Sequence, residues 1–215
     1  MADRSSLAPG TVDVWVADLA AHGEPERALL SPVEHARAER FARAEDGERW
    51  ARARGILRAL LGRYAGEDPR ALALVVGEHG KPRLDGSPLR FNVSHSAGAA
   101  LYAVARAREV GVDVELPRRA VDHVAIARRA FGAAEAERIA ALDGIARERA
   151  FLRSWVRWEA VLKCRGTGIG GEKAAPDGPQ PWVADLAVDP PGAAALAVEG
   201  GPCAVRLRRW PAADG

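Results

Sequence analysis

The feature that most constrains this chain is an order of hydrophobic periods that occurs twice. Thr11 to Ala17 puts Val12, Val14 and Val16 on alternate positions, the period of a strand. Helical patterns follow, then short apolar strands. Val110 to Glu115 restarts that order of strand, helices and strands. Such patterning predicts an α+β fold, with two similar halves that are each a small antiparallel sheet packed with helices. No sequence repeat accompanies it. The halves are expected to meet near Arg106 to Arg108, giving an N-terminal unit over 1–108 and a C-terminal unit over 109–215.

Local signals fill in the elements. Ser31-Pro32 opens a helix, with Ser31 as N-cap and Pro32 at the first helical position, expected to run through Arg43. A second, arginine-rich helix is expected over Gly47 to Ala65, with Arg52, Arg54 and Arg58 on a solvated face. Ala71 to Gly77 reads as a strand and Glu78 to Pro82 as a turn. Leu89 to Val93 and Ala99 to Ala105 read as strands on either side of a Ser94-His95-Ser96-Ala97-Gly98 turn. Val121 to Phe131 and Ala133 to Leu142 read as helices broken near Gly132. Arg147 to Arg165 is a long helix ending at Gly166. Gly166 to Pro181 is a Gly- and Pro-rich loop, followed by strands over Trp182 to Val188, Ala193 to Val198 and Cys203 to Trp210.

Composition excludes several classes. Basic and acidic side chains nearly balance, 31 against 29 with a net charge of +2, which argues against a nucleic-acid coat or an acidic tail. With 48% apolar and 28% charged residues the chain is globular. No apolar run approaches the roughly 20 residues of a membrane span, and Met-Ala-Asp-Arg-Ser-Ser lacks the apolar core of a secretory signal. Cys164 and Cys203 make no disulfide framework and no zinc site. A cytoplasmic protein is expected. Only Lys81, Lys163 and Lys173 are lysines among 31 basic residues, so each lysine is slightly informative.

Four short patterns can carry chemistry. In Gly111-Val112-Asp113-Val114-Glu115, strand alternation sends the two valines one way and the two acids the other. Adjacent carboxylates repel unless a cation or water lies between them, and Mg²⁺ suits such a pair; a half-buried strand with a solvated acidic face gives the same pattern. Trp155, Glu159 and Lys163 follow at i, i+4 and i+8 and share one helix face, as an acid–base constellation or as an ordinary ion pair. Phe91-Asn92-Val93-Ser94-His95-Ser96 offers hydroxyls and an imidazole suited to phosphate, or a structural histidine. Gly80-Lys81-Pro82 presents a point charge on a rigid turn, or a solvated lysine. The glycine-rich stretch Gly166 to Lys173 follows a helix instead of opening one, so it is not a phosphate-binding P-loop.

The order of these motifs, G-K-P, F-N-V-S-H-S, G-V-D-V-E, then W-x-x-x-E-A-x-x-K, resembles the 4′-phosphopantetheinyl transferases of the surfactin-type (Sfp-type) branch. The resemblance runs from the Ser31-Pro32 helix through Gly168. It implies transfer of the phosphopantetheine arm of coenzyme A to a serine of an apo acyl or peptidyl carrier protein, as a holo-carrier-protein synthase, with release of adenosine 3′,5′-bisphosphate. It implies Mg²⁺, with Mn²⁺ as the alternative, held by Asp113, Glu115 and Glu159. Glu159, or a water it orients, would be the base, and Lys163 would stabilise the transferring phosphate. Ser94 and His95 match the family's phosphate pair, Lys81 its pyrophosphate- and adenine-side lysine, and Arg49 and Arg37 its basic coenzyme A contacts. The site would lie in a cleft between two pseudo-symmetric halves of a monomer, with no nucleic-acid or membrane partner.

Two positions depart from the family pattern. Trp158 stands where relatives carry a lysine just before the glutamate, with Arg157 as an uncertain substitute. Glu34 stands where relatives often carry a basic residue and would not attract a 3′-phosphate. A catalytically degenerate relative that binds coenzyme A or a carrier as a regulator is the alternative reading. An unrelated Mg²⁺-dependent phosphohydrolase is a third.

Overall fold

The computed structural model describes residues 7–20, 24–77, 80–116, 122–167, 179–188 and 192–211. The first half holds β1 (Thr11–Asp18), α1 (Glu24–Arg27), α2 (Pro32–Glu39), α3 (Ala44–Ala65), β2 (Leu74–Val76), β3 (Pro82–Leu84), β4 (Leu89–Ser96) and β5 (Ala99–Arg106). Then come β6 (Val110–Glu115), α4 (His123–Phe131), α5 (Ala133–Ala140), α6 (Gly144–Arg165), β7 (Trp182–Asp185), β8 (Ala193–Val198) and β9 (Ala204–Arg209). The α+β class is as expected. Most of the glycine-rich stretch, from Gly168 through Lys173, lies outside the described residues.

One sheet has the order β4-β5-β1-β9, another β6-β8-β7, and β2 and β3 form a separate hairpin. Alternation along the strands builds the layers. Val12, Val14 and Val16 of β1, Leu101 and Ala103 of β5, Val112 and Val114 of β6, and Leu196 of β8 form one core shared by the two sheets. The other face of the first sheet, with Trp15, Phe91 and Tyr102, packs on Ile56, Leu57, Leu60 and Leu61 of α3. The other face of the second packs Ala195 and Ala197 on Val156, Ala160 and Cys164 of α6. The layer order is therefore α3, sheet, sheet, α6. Each fully buried Leu or Val contributes roughly 1.5–3 kcal/mol.

Helix ends follow their chemistry. Ser31 caps α2, and Glu34 closes a capping box by accepting from the Ser31 backbone N–H at 2.8 Å. Gly166 ends α6 at φ 72°, a left-handed position that glycine adopts without strain. Gly111 is required for a different reason: a Cβ there would lie 2.1 Å from Ala160 O and 2.3 Å from Cys164 N, so β6 lies flush on α6 only because that side chain is missing.

The structure corrects several expectations. The last strand crosses back: β9 pairs in parallel with β1, Val14 opposite Leu207, so residues 204–209 join the sheet of the first half. The crossing is anchored at Asp13, fully buried, which accepts from Arg206 at 2.6 Å and from the Tyr64 hydroxyl at 2.6 Å. Ser94, His95 and Ser96 are not a turn. They pair with Leu101, Ala100 and Ala99, and the turn is Ala97-Gly98 alone, with Ala97 at φ 51°. Helix α2 stops at Glu39, and α3 begins already at Ala44. Arg52 and Arg58 are buried, not solvated, at 7% and 4% exposure. Arg58 and Arg54 both donate to Glu34, the former at 2.6 Å, and Arg58 also bonds Pro69 O at 2.7 Å.

Candidate active site

Strands β4 and β6 do not share a backbone ladder. Side chains of β4 take its place. Asn92 Oδ1 accepts from the Val112 N–H at 3.0 Å, Ser94 Oγ from the Val114 N–H at 3.4 Å, and Ser96 Oγ from the Leu116 N–H at 3.3 Å. Strand period two makes this possible: positions i, i+2 and i+4 of β4 face i, i+2 and i+4 of the β6 segment.

The same serines also donate to the acids beside those amides. Ser94 Oγ donates to Asp113 Oδ1 at 2.7 Å, and Ser96 Oγ to Glu115 Oε2 at 2.9 Å. Lys163 of α6 completes the first of these groups, donating to Ser94 Oγ at 3.0 Å and to Asp113 Oδ1 at 2.5 Å. A hydroxyl has one donor and two acceptor positions, so Ser94 is fully engaged. Asp113 is 3% exposed, which excludes the solvated acidic face.

Glu159 lies one helical turn before Lys163 and is 4% exposed. Burial raises its carboxyl above the usual range; the Lys163 charge opposes this, and Asp113 and Glu115 add to it. Asp113 Oδ2 and Glu159 Oε1 are buried without a hydrogen-bond partner among the described residues. Two such orphaned carboxylate oxygens suit a hard cation. Among the described residues no three His, Cys, Asp or Glu side chains stand close enough to hold an ion by themselves. The donor set is therefore not a closed all-protein cage. It fits an ion whose shell is completed by phosphate and water.

The remaining expected residues are placed as follows. His95 is on β4 between the two serines and is exposed. Lys81 is not beside the carboxylates: its ammonium donates to Glu109 Oε2 at 2.6 Å, Cys164 O at 2.9 Å and Val110 O at 3.0 Å. All three of its hydrogens are used, and they fasten the last turn of α6 to the start of β6. Arg49 pairs with Asp46 at 2.5 Å, and Arg37 lies over the Trp50 ring at 5.1 Å. Arg157 does not replace the family lysine, because it pairs with Asp185 of β7 at 2.8 Å. Trp158 packs edge-on against Phe131, ring centroids 6.0 Å apart, and beside Trp155 at 5.3 Å. Glu34 is committed to the capping box and the two arginines, and despite its burial those bonds hold its carboxyl down to about 2.

Sequence reasoning missed Ser96 and Asn92 as partners of β6. The signal was present: alternate polar residues on one strand, matched by alternate acids on another. It also missed the Ser31–Glu34 capping box, although Ser-x-x-Glu spells it.

Comparison with known proteins places this site in a family context. Residues 109–202 match the model of the 4′-phosphopantetheinyl transferase superfamily. Over 146 residues the chain is 40% identical to the 4′-phosphopantetheinyl transferase HetI of Nostoc sp., covering 66% of this chain and 62% of HetI. Over 148 residues it is 36% identical to a putative 4′-phosphopantetheinyl transferase of Synechocystis sp., covering 67% and 60%. Over 94 residues it is 36% identical to the 4′-phosphopantetheinyl transferase AcpT of Salmonella typhi, covering 43% and 49%. The match thus spans about three fifths of the two cyanobacterial relatives and about half of AcpT.

Proposed function

This chain is a relative of the 4′-phosphopantetheinyl transferases, matched to that superfamily over residues 109–202, and on that premise we propose that it transfers the 4′-phosphopantetheine arm of coenzyme A to a serine hydroxyl of an apo acyl or peptidyl carrier protein. The observation that carries this reading is the buried group of Asp113, Lys163 and Ser94 with Glu159 one turn away. The serine oxygen of the carrier bonds to the phosphorus next to the pantetheine. The bond from that phosphorus to the bridging oxygen breaks, and adenosine 3′,5′-bisphosphate leaves.

Glu159 takes the proton of the carrier serine, directly or through a water. Its raised carboxyl makes it a stronger base than an ordinary glutamate. Lys163 bears on the charge of the transferring phosphate, and Asp113 and Ser94 hold it in place. The resemblance assigns Mg²⁺ to Asp113, Glu115 and Glu159, where it would neutralise charge on the pyrophosphate; the three do not stand together as a three-ligand group, and the buried oxygens that support the reading are those of Asp113 and Glu159. His95, exposed on β4, is assigned to phosphate. Arg37 and Arg49 are assigned to the coenzyme A side.

The sheet orders support two pseudo-symmetric halves in one monomer: β4-β5-β1 against β7-β8-β6, each backed by a helix of 22 residues. In this reading the cleft lies beside the contact of β4 with β6.

Trp158 favours the second reading, a regulator that binds coenzyme A without turnover. Its packing on Phe131 and Trp155 is that of a structural residue. Purified protein, coenzyme A, Mg²⁺ and a panel of apo carriers, weighed by intact mass spectrometry, separate the two. One added phosphopantetheine, lost with chelator, is the expected result. Coenzyme A binding with no modified carrier on any member of the panel, unchanged by Trp158→Lys, would support the regulator.

A further inference from the structure

Lys81 reaches from the hairpin of the first half into the second half of the chain. It sits directly before β3, and its backbone is pinned there: Lys81 O accepts from the Gly77 N–H at 2.9 Å, and Val76 of β2 pairs with Pro82 of β3. Its side chain ends on the line where β6 lies flush on α6. There the ammonium meets Val110 O at the start of β6, Cys164 O in the last turn of α6, and the Glu109 carboxylate. That carboxylate also takes Arg90 of β4 at 2.9 Å, so Glu109 keeps a cation if the lysine is removed. Only 14% of the Lys81 side chain is exposed, so water competes little for these bonds. One cation thus joins the hairpin, β6 and α6.

The chemistry of a helix end gives this contact its weight. The last carbonyls of a helix have no donor within it, and Cys164 O is one of those of α6. A cation there also offsets the partial negative charge of the helix terminus. The amides of Thr167 and Gly166 serve Leu162 O and Lys163 O, at 3.2 and 3.3 Å, and Lys81 serves Cys164 O. The same turn carries Lys163, whose ammonium meets Asp113 and Ser94. Cys164 follows Lys163 directly, and Val110 begins the strand that carries Asp113. Both ends of the Asp113–Lys163 contact therefore start from backbone that Lys81 holds.

We propose that Lys81 is a positioning residue that acts on the reaction through Lys163, by clamping the last turn of α6 to the start of β6 from the other half of the chain. This rests on the reading that Lys163 bears on the charge of the transferring phosphate. Lys81 then makes no bond to coenzyme A. A shift of about 1 Å in a group at the reacting centre can cost about a hundredfold in rate, so the clamp acts on turnover without touching the substrate.

The test compares the full chain with Lys81→Met, which keeps the side-chain length and removes the ammonium. Amide hydrogen exchange is followed by NMR, coenzyme A affinity by calorimetry, and carrier modification by kcat and KM. The Gly166 and Thr167 amides are expected to exchange about fivefold faster or more, the effect of one lost hydrogen bond on local opening. The Gly66 amide, which bonds Gly62 O at 2.8 Å at the end of α3, is expected to keep its rate. The kcat should fall by about tenfold to a hundredfold, with the coenzyme A dissociation constant at its wild-type value. Should Lys81→Met not fold, Lys81→Gln keeps two N–H donors without the charge and is read the same way, with smaller shifts. Weakened coenzyme A binding with unchanged exchange in α6 would put Lys81 on the ligand and overturn the proposal. An unchanged kcat overturns it as well, as does equal acceleration at Gly66 and Gly166, which is a general loss of stability. Failure of the transferase reading shows differently, as wild-type protein that modifies no carrier while the two α6 amides still respond to Lys81→Met.

Discussion

Ser94 Oγ lies 2.7 Å from Asp113 Oδ1, and this bond joins a strand of one half to a strand of the other at the point where Lys163 also arrives. Ser94→Ala removes the donor to Asp113 and leaves the Val114 amide short of an acceptor. Loss of a buried partner costs about 1–3 kcal/mol. Ser94→Ala should therefore lower the melting temperature and reduce carrier modification at least tenfold. Wild-type melting and activity in this variant would remove Ser94 from the site.

Glu159 predicts a gain of stability on neutralisation. An ordinary glutamate ionises near pH 4.3, and burial raises Glu159 above that. Between the two values the native state keeps a proton that the unfolded state has lost, so stability falls as pH rises through that window. Glu159→Gln should abolish transfer yet melt higher than wild type at pH 7.5. A lower melting temperature would contradict the placement of a buried carboxylate with an orphaned Oε1.

Glu34 predicts the opposite dependence. Its carboxyl is held down to about 2, so its stabilisation is present above the ordinary glutamate range and is lost as pH falls toward 2. Glu34→Gln takes the charge from Arg58, which is 4% exposed, and removing one partner of a buried pair costs about 3–5 kcal/mol. Urea midpoints should separate wild type and variant at pH 7 and converge near pH 2. A constant gap would mean that the carboxylate charge is not the stabilising element.

Gly111→Ala should be among the most damaging small substitutions. The added carbon meets backbone on α6 at 2.1 Å, where no side chain can move aside. Overpacking of this kind costs about 3 kcal/mol or more. Circular dichroism melting of this variant against Gly201→Ala, whose added carbon meets nothing within 4 Å, isolates the contact from the general cost of replacing glycine.

Trp158→Lys introduces the lysine that the family resemblance implies at this position and removes two aromatic contacts worth about 0.5–1.5 kcal/mol each. The expected outcome is a lower melting temperature with no rise in carrier modification. A clear rise would show that Trp158 limits carrier modification.

The parts of the fold legible in the sequence are those governed by local period. The β6 alternation, the α6 helix and its Gly166 stop needed no tertiary information. Where long-range pairing decides, local signals fail. Ser94-His95-Ser96 has turn composition, yet it extends β4 because it pairs with Ala99–Leu101 of β5, while β6 amides take up the two serine hydroxyls. Arg52 and Arg58 have surface composition, yet α3 buries them, Arg58 against Glu34. β9 reads as an ordinary last strand, and only Asp13, buried in β1, explains why it returns to the first sheet. Among the candidate residues, Ser94, Asp113 and Lys163 converge directly, with Glu159 beside them. Lys81 does not, because the Glu109 carboxylate, the helix-end carbonyl of Cys164 and the strand carbonyl of Val110 take its ammonium.

The central claim is that this group of residues moves a phosphopantetheine from coenzyme A to a carrier. The most direct measurement is the amount of adenosine 3′,5′-bisphosphate released per carrier molecule modified, for wild type, Asp113→Asn and Glu159→Gln. The account predicts one nucleotide released per carrier modified, release that requires both carrier and Mg²⁺, and loss of both signals together in each variant. Nucleotide release without a carrier, or full carrier modification in Glu159→Gln, would contradict it.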